Sequence, residues 1–317
     1  MQCIMLHISS DRKRYGFRPS HQELALVGIT VLWGASFLIS QTGVHHSGPL
    51  LFVGTRFLIA GIITSLLFLK TMRGVTLREL GAGATIGLSI CLGCGLQTYG
   101  LQSISSSQSA FLTALYVPVV PLMQWFVLRK PPHVMSWAGI GLAFTGLILL
   151  AGPGAYHVGS GSGVIATLLG TVAMAAEIIL ISRFAPLVDS RRITVVQLLC
   201  AGLFSLAFMP FAGETVPSLP PIWIACAAGL GIASVVIQLT MNWAQKVVSP
   251  TRATVIYAGE PVWGGIVGRL AGDSLPSLAL LGGAFIIAGV IASEWRPKFR
   301  RVPDHVNGAS QHSDMTV

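Results

Sequence analysis

Charged residues are scarce in this chain. Of its 317 residues, 10% are Asp, Glu, Lys or Arg, whereas 53% are hydrophobic and the mean hydropathy is +0.73. A water-soluble domain carries about 25% charged residues, so this composition excludes a typical soluble protein and predicts an integral membrane protein. The net charge of +9 could by itself indicate nucleic-acid binding, but the positions of the basic residues, given below, favour another explanation and no nucleic-acid partner.

Histidine and the usual catalytic motifs are missing from the apolar stretches. The eight His residues are at positions 7, 21, 45, 46, 133, 157, 305 and 312, outside every predicted span. The chain has no HExxH, no GxSxG and no GxxxxGK[ST], the patterns of zinc proteases, α/β-hydrolases and P-loop nucleotide sites. We therefore expect no enzyme activity, no metal, no cofactor and no direct use of ATP.

Cysteine is also rare, with five residues, four of them in apolar runs. Cys91 and Cys94 form CLGC, which resembles a redox CxxC pair. Such a pair needs an accessible, polar surrounding near a βαβ pattern, and this stretch has neither. We expect these cysteines to be small packing residues.

Ten apolar stretches are each long enough to cross a bilayer, which takes roughly 20 residues. They run over residues 24–42, 49–70, 80–98, 107–128, 134–151, 161–182, 193–211, 221–243, 252–271 and 275–294. The loops between them are short and leave no room for a separate domain outside the membrane. The predicted fold class is all-α integral membrane, with ten transmembrane helices.

Lys and Arg residues occupy alternate connections between these stretches. Eighteen of the 20 lie in the N-terminal segment, in every second loop and in the C-terminal segment, whereas the loops 43–48, 99–106, 152–160 and 212–220 contain none. Positive residues concentrate on the cytoplasmic side of a membrane, so both termini are predicted to be cytoplasmic. Residues 1–21 are then a cytoplasmic lead and residues 296–317 a disordered cytoplasmic tail, and the basic charge is a topology signal.

The second half of the chain repeats part of the first. An offset of 143 residues aligns Pro118 with Pro261, Val119 with Val262, Gly139 with Gly282 and Gly146 with Gly289. The two units, residues 22–151 and 161–295, hold five spans each. An odd number of spans turns the second unit over relative to the first, which is the arrangement of inverted-repeat transporters. Because proline lacks an N–H group, Pro118 and Pro261 are predicted to break their helices.

Four segments together carry a family resemblance. They are ITVLWGASFL in the first span, GPLLFVGTRFLIAG in the second, LYVPVVPLMQWFVL in the fourth and AGEPVWGGIVGRL in the ninth. In this order and spacing they resemble the EamA-type members of the drug/metabolite transporter superfamily, over about residues 22–295. The resemblance implies a secondary carrier of the cytoplasmic membrane, often an exporter of amino acids or related metabolites. The chain departs from it at Lys130, where the family usually has an acidic residue at the end of the fourth span.

Three charged side chains lie well inside predicted spans, away from the span ends, where each costs on the order of 3 kcal/mol and is a functional hypothesis by default. Glu260, near the middle of the ninth span and beside Pro261, is the strongest candidate for binding a proton or a cationic group. Arg56, in the second span, could bind a substrate carboxylate or make a structural ion pair. Glu177, in the sixth span, could exchange a proton or pair with Arg183 at the interface.

Neutral polar and aromatic side chains in the spans could complete a pocket for a small amphipathic metabolite. The candidates are Trp33, Gln97, Tyr116, Gln124, Asn242, Tyr257 and Trp263, and Trp125 and Gln238 belong to the same set. Tyr and Trp also serve as anchors at the membrane interface, so each of these residues taken alone has a purely structural explanation.

The sequence therefore predicts a secondary active transporter of the bacterial inner membrane that works by alternating access, with proton-coupled efflux of an amino acid or related compound. An importer of the same fold is the alternative, since a secondary carrier runs with its gradients. A channel and an intramembrane enzyme are the other classes, and the missing motifs disfavour the enzyme. The expected partners are a small-molecule substrate, a proton and the lipid bilayer, and a homodimer is left open.

Overall fold

The computed structural model describes residues 20–104, 106–151, 161–218, 220–270 and 278–294. The predicted N-terminal lead and C-terminal tail therefore lie almost wholly outside the described residues. Within the described ranges there are 13 α-helices and no strands. They are α1 (His21–Val44), α2 (Pro49–Leu67), α3 (Leu69–Met72), α4 (Leu77–Gly100), α5 (Ser106–Thr113), α6 (Tyr116–Leu128), α7 (Val134–Ala151), α8 (Ser162–Phe184), α9 (Ser190–Phe208), α10 (Pro221–Ala244), α11 (Pro250–Tyr257), α12 (Glu260–Leu270) and α13 (Ala279–Glu294).

Side-chain caps define where several helices begin. The N-cap residues of α1 and α4, Ser20 and Thr76, each form a capping box with the glutamate three positions on, Glu23 and Glu79. Such a box satisfies two backbone N–H groups that the first turn leaves without partners. Both boxes lie at the end of the helix that is predicted to face the cytoplasm.

Six helices in the described ranges are long and apolar enough to cross a membrane. They are α1, α2, α4, α8, α9 and α10, where α8 and α9 are each extended by a short 3-10 turn. Each of the other four predicted spans coincides with helix as well, but two are broken in the middle and two, α7 and α13, have 18 and 16 residues. The all-helical membrane fold is confirmed, and the count of ten spans stays a prediction.

The two broken spans are interrupted at equivalent places. One changes from α5 to α6 at Ala114 and Leu115, and the other changes from α11 to α12 at Ala258 and Gly259. At the second break the backbone N–H of Gly259 donates to the carbonyl of Ile256 at 3.1 Å, one residue tighter than in an α-helix. The breaks come just before the prolines: Pro261 is the second residue of α12 and Pro118 the third of α6.

Close glycine contacts show how the two halves pack. A Cβ atom on Gly146 of α7 would lie 2.5 Å from the carbonyl oxygen of Gly282 in α13, and one on Gly289 would lie 2.7 Å from that of Gly139. The offset of 143 exchanges these two contacts. In these contacts the residue numbers rise along α7 as they fall along α13, so the two helices are antiparallel. The two-fold axis that exchanges the contacts is therefore perpendicular to the helices. That is the geometry of an inverted repeat.

A second helix pair obeys the same symmetry. A Cβ atom on Gly61 of α2 would lie 2.9 Å from the backbone nitrogen of Leu199 in α9, and one on Gly202 would lie 2.7 Å from that of Leu58. Here an offset of 141 exchanges the contacts. Small residues allow membrane helices to approach this closely, so the glycines bring α2 against α9 and α7 against α13 around one internal two-fold axis.

Candidate substrate site

A small cavity of about 60 Å³ lies at the level of the two helix breaks. Its lining residues come from α1, α2, α4, α5, α6, α8, α10 and α12, so both halves of the chain contribute. The volume accommodates a few water molecules, whereas pockets for drug-sized ligands have roughly 300–1,000 Å³. The cavity is therefore narrow around its polar groups in this conformation.

The three ionisable residues predicted from the sequence all line this cavity. Arg56 comes from α2, Glu177 from α8 and Glu260 from α12, and all three side chains are buried. Among the described residues, no carboxylate oxygen lies within 4 Å of the Arg56 guanidinium; its Nε donates instead to the Ser234 hydroxyl on α10 at 2.9 Å. Arg56, Glu177 and Glu260 therefore line the same cavity, and Arg56 forms no direct ion pair with either carboxylate.

The two helix breaks face each other through one hydrogen bond. Tyr116 is the first residue of α6 and Glu260 the first residue of α12, and the Tyr116 hydroxyl donates to a Glu260 carboxylate oxygen at 3.3 Å. Each break therefore delivers one polar side chain to the cavity. Broken helices are tolerated in membranes where they line a cavity or are buried in protein, and here both conditions hold.

Two further predicted residues, Trp33 and Gln97, also line the cavity. The amide nitrogen of Gln97 donates to the Thr113 hydroxyl at 2.8 Å, which ties α4 to the end of α5. The indole of Trp33 meets the ring of Tyr257 edge to face, with centroids 5.0 Å apart. Tyr257 itself is fully buried behind Trp33 and does not line the cavity.

Most of the other predicted residues lie away from the cavity. Asn242 is buried between α9 and α10. Gln124 lies near the end of α6 and accepts a hydrogen bond from the Thr251 hydroxyl at 2.8 Å.

Trp263 is half-buried one turn after Glu260, with its Cβ packed against α1 at Gly34. Pro118 and Pro261 do not line the cavity either, although they follow the breaks that shape it.

The sequence prediction missed several lining residues, and helical spacing could have found them. Ser234 and Met241 lie on the same face of α10 as the predicted Gln238, four residues before it and three after it, and all three line the cavity. Cys94 also lines it, three residues before Gln97. The sequence predicts only a packing role for Cys94, so its place in the cavity lining differs from that prediction. Within the described ranges, no group of three His, Cys, Asp or Glu side chains is placed to hold a metal ion.

Comparison with known sequences identifies the family. The EamA-like transporter family matches this chain twice, over residues 22–152 and 161–294. The chain belongs to the EamA-like transporter family. The protein is therefore a membrane transporter. The two matches cover the two halves that the glycine contacts relate.

Two of the relatives reported next match most of this EamA-like transporter, and a third matches part of it. It is 25% identical over 248 residues to an uncharacterized transporter of Archaeoglobus fulgidus, covering 78% of this chain and 77% of the relative. It is 27% identical over 272 residues to the uncharacterized inner membrane transporter YedA of Escherichia coli K12, covering 84% and 88%. A probable amino-acid metabolite efflux pump of Salmonella typhimurium is 32% identical over 132 residues, or 40% of this chain and 41% of the pump.

A solved crystal structure shares the fold. It superimposes with a TM-score of 0.69 and 18% sequence identity, covering 87% of this chain and 98% of the other. At this identity the likeness shows the fold alone, and it agrees with the all-helical architecture described above.

Proposed function

We propose that this EamA-like transporter is a secondary carrier that exports a small amino acid or related metabolite in exchange for protons, by alternating access to the central cavity. The observation that carries the proposal is the meeting of three ionisable side chains from both halves in one cavity. Ionisable groups are costly within a membrane and mark substrate and ion pathways. A site between two repeats is also where rocking of one half against the other changes access.

The lining favours a substrate with charged groups and an apolar part. The Arg56 guanidinium is a donor that matches a carboxylate, and the carboxylates of Glu177 and Glu260 match an ammonium group. Trp33, Phe37 and Met174, among others, supply apolar surface. The probable amino-acid metabolite efflux pump among the relatives supports the same class of substrate. Since the cavity is much smaller than usual ligand pockets, a substrate of amino-acid size is expected to enter a more open conformation.

Contacts between the halves flank the cavity on both sides. On the side predicted to be cytoplasmic, Arg252 of α11 forms an ion pair with Glu23 of α1. On the opposite side, the carboxylate of Glu214 accepts hydrogen bonds from the backbone nitrogens of Leu50 and Leu51, each at 3.0 Å. Contacts on both faces support a carrier, which never opens to both sides together, over a channel.

Proteoliposome transport tests this proposal directly. Purified protein is reconstituted, the vesicles are loaded with a panel of radiolabelled amino acids, and an outside-acid pH gradient is imposed. We expect saturable efflux that the gradient accelerates, and Glu260→Gln should retain exchange at equilibrium while losing the response to the gradient. Flux that is conductive and does not saturate would replace this proposal with a channel. Net uptake under the physiological gradient, in vesicles of known protein orientation, would identify an importer.

The proposed location is the bacterial inner membrane with both termini in the cytoplasm. The support is the distribution of Lys and Arg, of which 18 of 20 lie on one predicted side. Fusions of a periplasm-active and a cytoplasm-active reporter to each terminus check it. Activity of the periplasmic reporter at either end would contradict the predicted topology.

A further inference from the structure

Glu177 is connected to a row of three buried amide side chains. The amide nitrogen of Gln238 donates to Glu177 at 2.8 Å, that of Gln197 donates to the Gln238 side-chain oxygen at 2.7 Å, and that of Asn242 donates to the Gln197 side-chain oxygen at 3.1 Å. The Asn242 nitrogen also donates to Thr194 at 3.0 Å. This amide chain leads from the cavity towards the beginning of α9, and none of its members is more than 6% exposed.

The direction of the amide chain is fixed at its far end. The Asn242 amide lies 3.0 Å from the backbone carbonyl oxygen of Gln238, and a carbonyl oxygen can only accept. The atom of Asn242 at this place must therefore be the nitrogen. It follows that Gln197 presents its oxygen to Asn242 and its nitrogen to Gln238, so Gln238 presents its nitrogen to Glu177. Among the described residues, the Asn242 side-chain oxygen has no partner, which is the cost of this orientation.

The amide chain therefore favours one charge state of Glu177. An amide nitrogen is a donor only, and a hydrogen bond to an ionised acceptor is about twice as strong as one to a neutral acceptor. If the Gln238 amide turned its oxygen towards Glu177, its nitrogen would face the Gln197 nitrogen, and two donors would meet without an acceptor. A protonated Glu177 loses the advantage of this donor, whereas an ionised Glu177 keeps it.

Glu260 has a different kind of partner. The Tyr116 hydroxyl, 3.3 Å away, donates to an ionised carboxylate and can also accept from a protonated one. It therefore serves both charge states of Glu260. The two carboxylates of the cavity thus have different partners. Gln238 favours the ionised state of Glu177, whereas Tyr116 can bond either charge state of Glu260.

We propose that the Gln238–Gln197–Asn242 amide chain positions Glu177 as the permanently ionised carboxylate of the site, and that Glu260 is the carboxylate that takes up and releases the coupling proton. The proposal rests on the function proposed above and divides the work between its two carboxylates. The proton comes from water on the outer side, binds a Glu260 oxygen, and returns to water on the cytoplasmic side; no other bond is made or broken.

The charges around the cavity support this division. Its titratable and charged lining groups are Arg56 on α2, Cys94 on α4, Tyr116 on α6, Glu177 on α8 and Glu260 on α12. The described lining residues of α1, α5 and α10 carry no such groups.

With Glu177 ionised, Arg56 balances it, and the cavity is neutral when Glu260 is protonated. Ionised Glu260 leaves one negative charge, which either the coupling proton or a substrate ammonium group can pair with at Glu260. Since burying an uncompensated charge is costly, proton and substrate then compete for Glu260, as exchange requires.

Infrared spectroscopy tests the proposal without any substrate. A protonated carboxyl group has a C=O absorption that an ionised one lacks, so purified full-length protein in lipid is titrated from about pH 9 to about pH 6, a range in which ordinary exposed Asp and Glu side chains stay ionised. We expect a carboxyl band that appears on acidification in wild type, is lost in Glu260→Gln and is retained in Glu177→Gln. Gln238→Leu should add a second band, which the double variant Gln238→Leu/Glu177→Gln removes.

Two further variants keep this test decisive. Gln197→Leu acts one bond further from Glu177 and should add the same second band at lower pH, which provides a result if Gln238→Leu does not fold. Gln245→Leu is the matched control. This buried amide at the end of α10 donates to Tyr257 at 3.1 Å and to no carboxylate, so its loss should leave the bands unchanged.

Each outcome of the infrared titration supports or overturns the roles proposed for Glu177 and Glu260. A band that disappears in Glu177→Gln instead of Glu260→Gln would reverse the two roles, and absence of the second band in both folded amide-chain variants would show that the amide chain does not hold Glu177 ionised. Absence of any titrating band in wild type would exclude Glu260 as the proton carrier. The proposed function fails separately, if proteoliposomes show no flux that responds to a pH gradient while the infrared bands follow the expected pattern.

Discussion

Gly34 of α1 lies directly against the backbone of Glu260. A Cβ atom on Gly34 would lie 2.9 Å from the Glu260 carbonyl oxygen and 2.6 Å from the backbone nitrogen of Gly264. The missing side chain therefore allows α1 to reach the start of α12, where the proposed proton carrier is held. The contact joins the first helix of one repeat to the broken span of the other.

Gly34→Ala is expected to damage both stability and transport. Since the added methyl group meets backbone atoms that cannot rotate away, we expect a loss of about 1–3 kcal/mol and a fall in exchange of more than about tenfold, the rate equivalent of about 1.4 kcal/mol. Thermal unfolding in detergent and counterflow in proteoliposomes measure the two effects. Gly28→Ala is the control on the same helix, because nothing lies within 4 Å of a Cβ atom there, and it should be neutral or slightly stabilising. Equal behaviour of the two variants would mean that the close approach has no importance.

Arg56 is expected to select substrates that carry a carboxylate. Arg56→Gln should raise KM for an amino acid by more than about tenfold, equivalent to about 1.4 kcal/mol, and change inhibition by the corresponding decarboxylated amine far less. Arg56→Lys should lie between, because lysine keeps the charge but loses the two-pronged geometry. Ser234→Ala removes only the acceptor of the Nε hydrogen bond and should have the smallest effect on KM. Counterflow competition measures all three. If amine and amino acid lose affinity equally, Arg56 has a structural role.

The location of the charged site could be predicted because charge inside a membrane has few permitted places. Arg56, Glu177 and Glu260 were identified one by one from the sequence, and all three line one cavity. A charged group in a span must face protein or water rather than lipid, so charge alone was enough to place them. Neutral side chains carry no such constraint. Tyr257 and Gln124 are chemically as suitable as Tyr116, but the helix face that each occupies sends them elsewhere.

The amide chain could not be predicted, because it depends on contacts between helices. The sequence offset of 143 finds the equivalence of the broken spans, whereas α2 and α9 are related by an offset of 141, owing to different loop lengths. Under that second offset Gln197 is equivalent to Arg56. One position thus carries a cation in the first repeat and an amide in the second. The fold is symmetric, and its charges are not.

The ion pair between Glu23 and Arg252 is expected to hold the two halves together on the predicted cytoplasmic side. Both side chains are largely buried, with 8% and 21% exposed, and removing one partner of such a pair leaves the other uncompensated. Arg252→Gln should therefore favour opening on this side. Cys94 in the cavity serves as the reporter after the other cysteines are replaced: a membrane-impermeant thiol reagent should label it several-fold faster from the cytoplasmic side.

The matched control for this pair is Arg191→Gln. Arg191 pairs with Asp189 at 3.1 Å within one half, and the two side chains are 55% and 30% exposed. Exposed pairs of this kind contribute about 0–1 kcal/mol, so labelling of Cys94 should not change. Faster labelling in both variants would point to general loosening instead of a specific contact between the halves.

Glu214 is expected to have the opposite effect on the other face. Its carboxylate caps the start of α2 by accepting from the Leu50 and Leu51 nitrogens, and losing a helix cap costs about 0.5–2 kcal/mol. Glu214→Ala should accelerate labelling of Cys94 from the outer side and slow it from the cytoplasmic side, because opening one face of an alternating-access carrier closes the other. Glu214→Gln keeps one acceptor oxygen and should give a smaller shift. If Glu214→Ala increased labelling from both sides together, the two faces would open independently, which is the behaviour of a pore and not of a carrier.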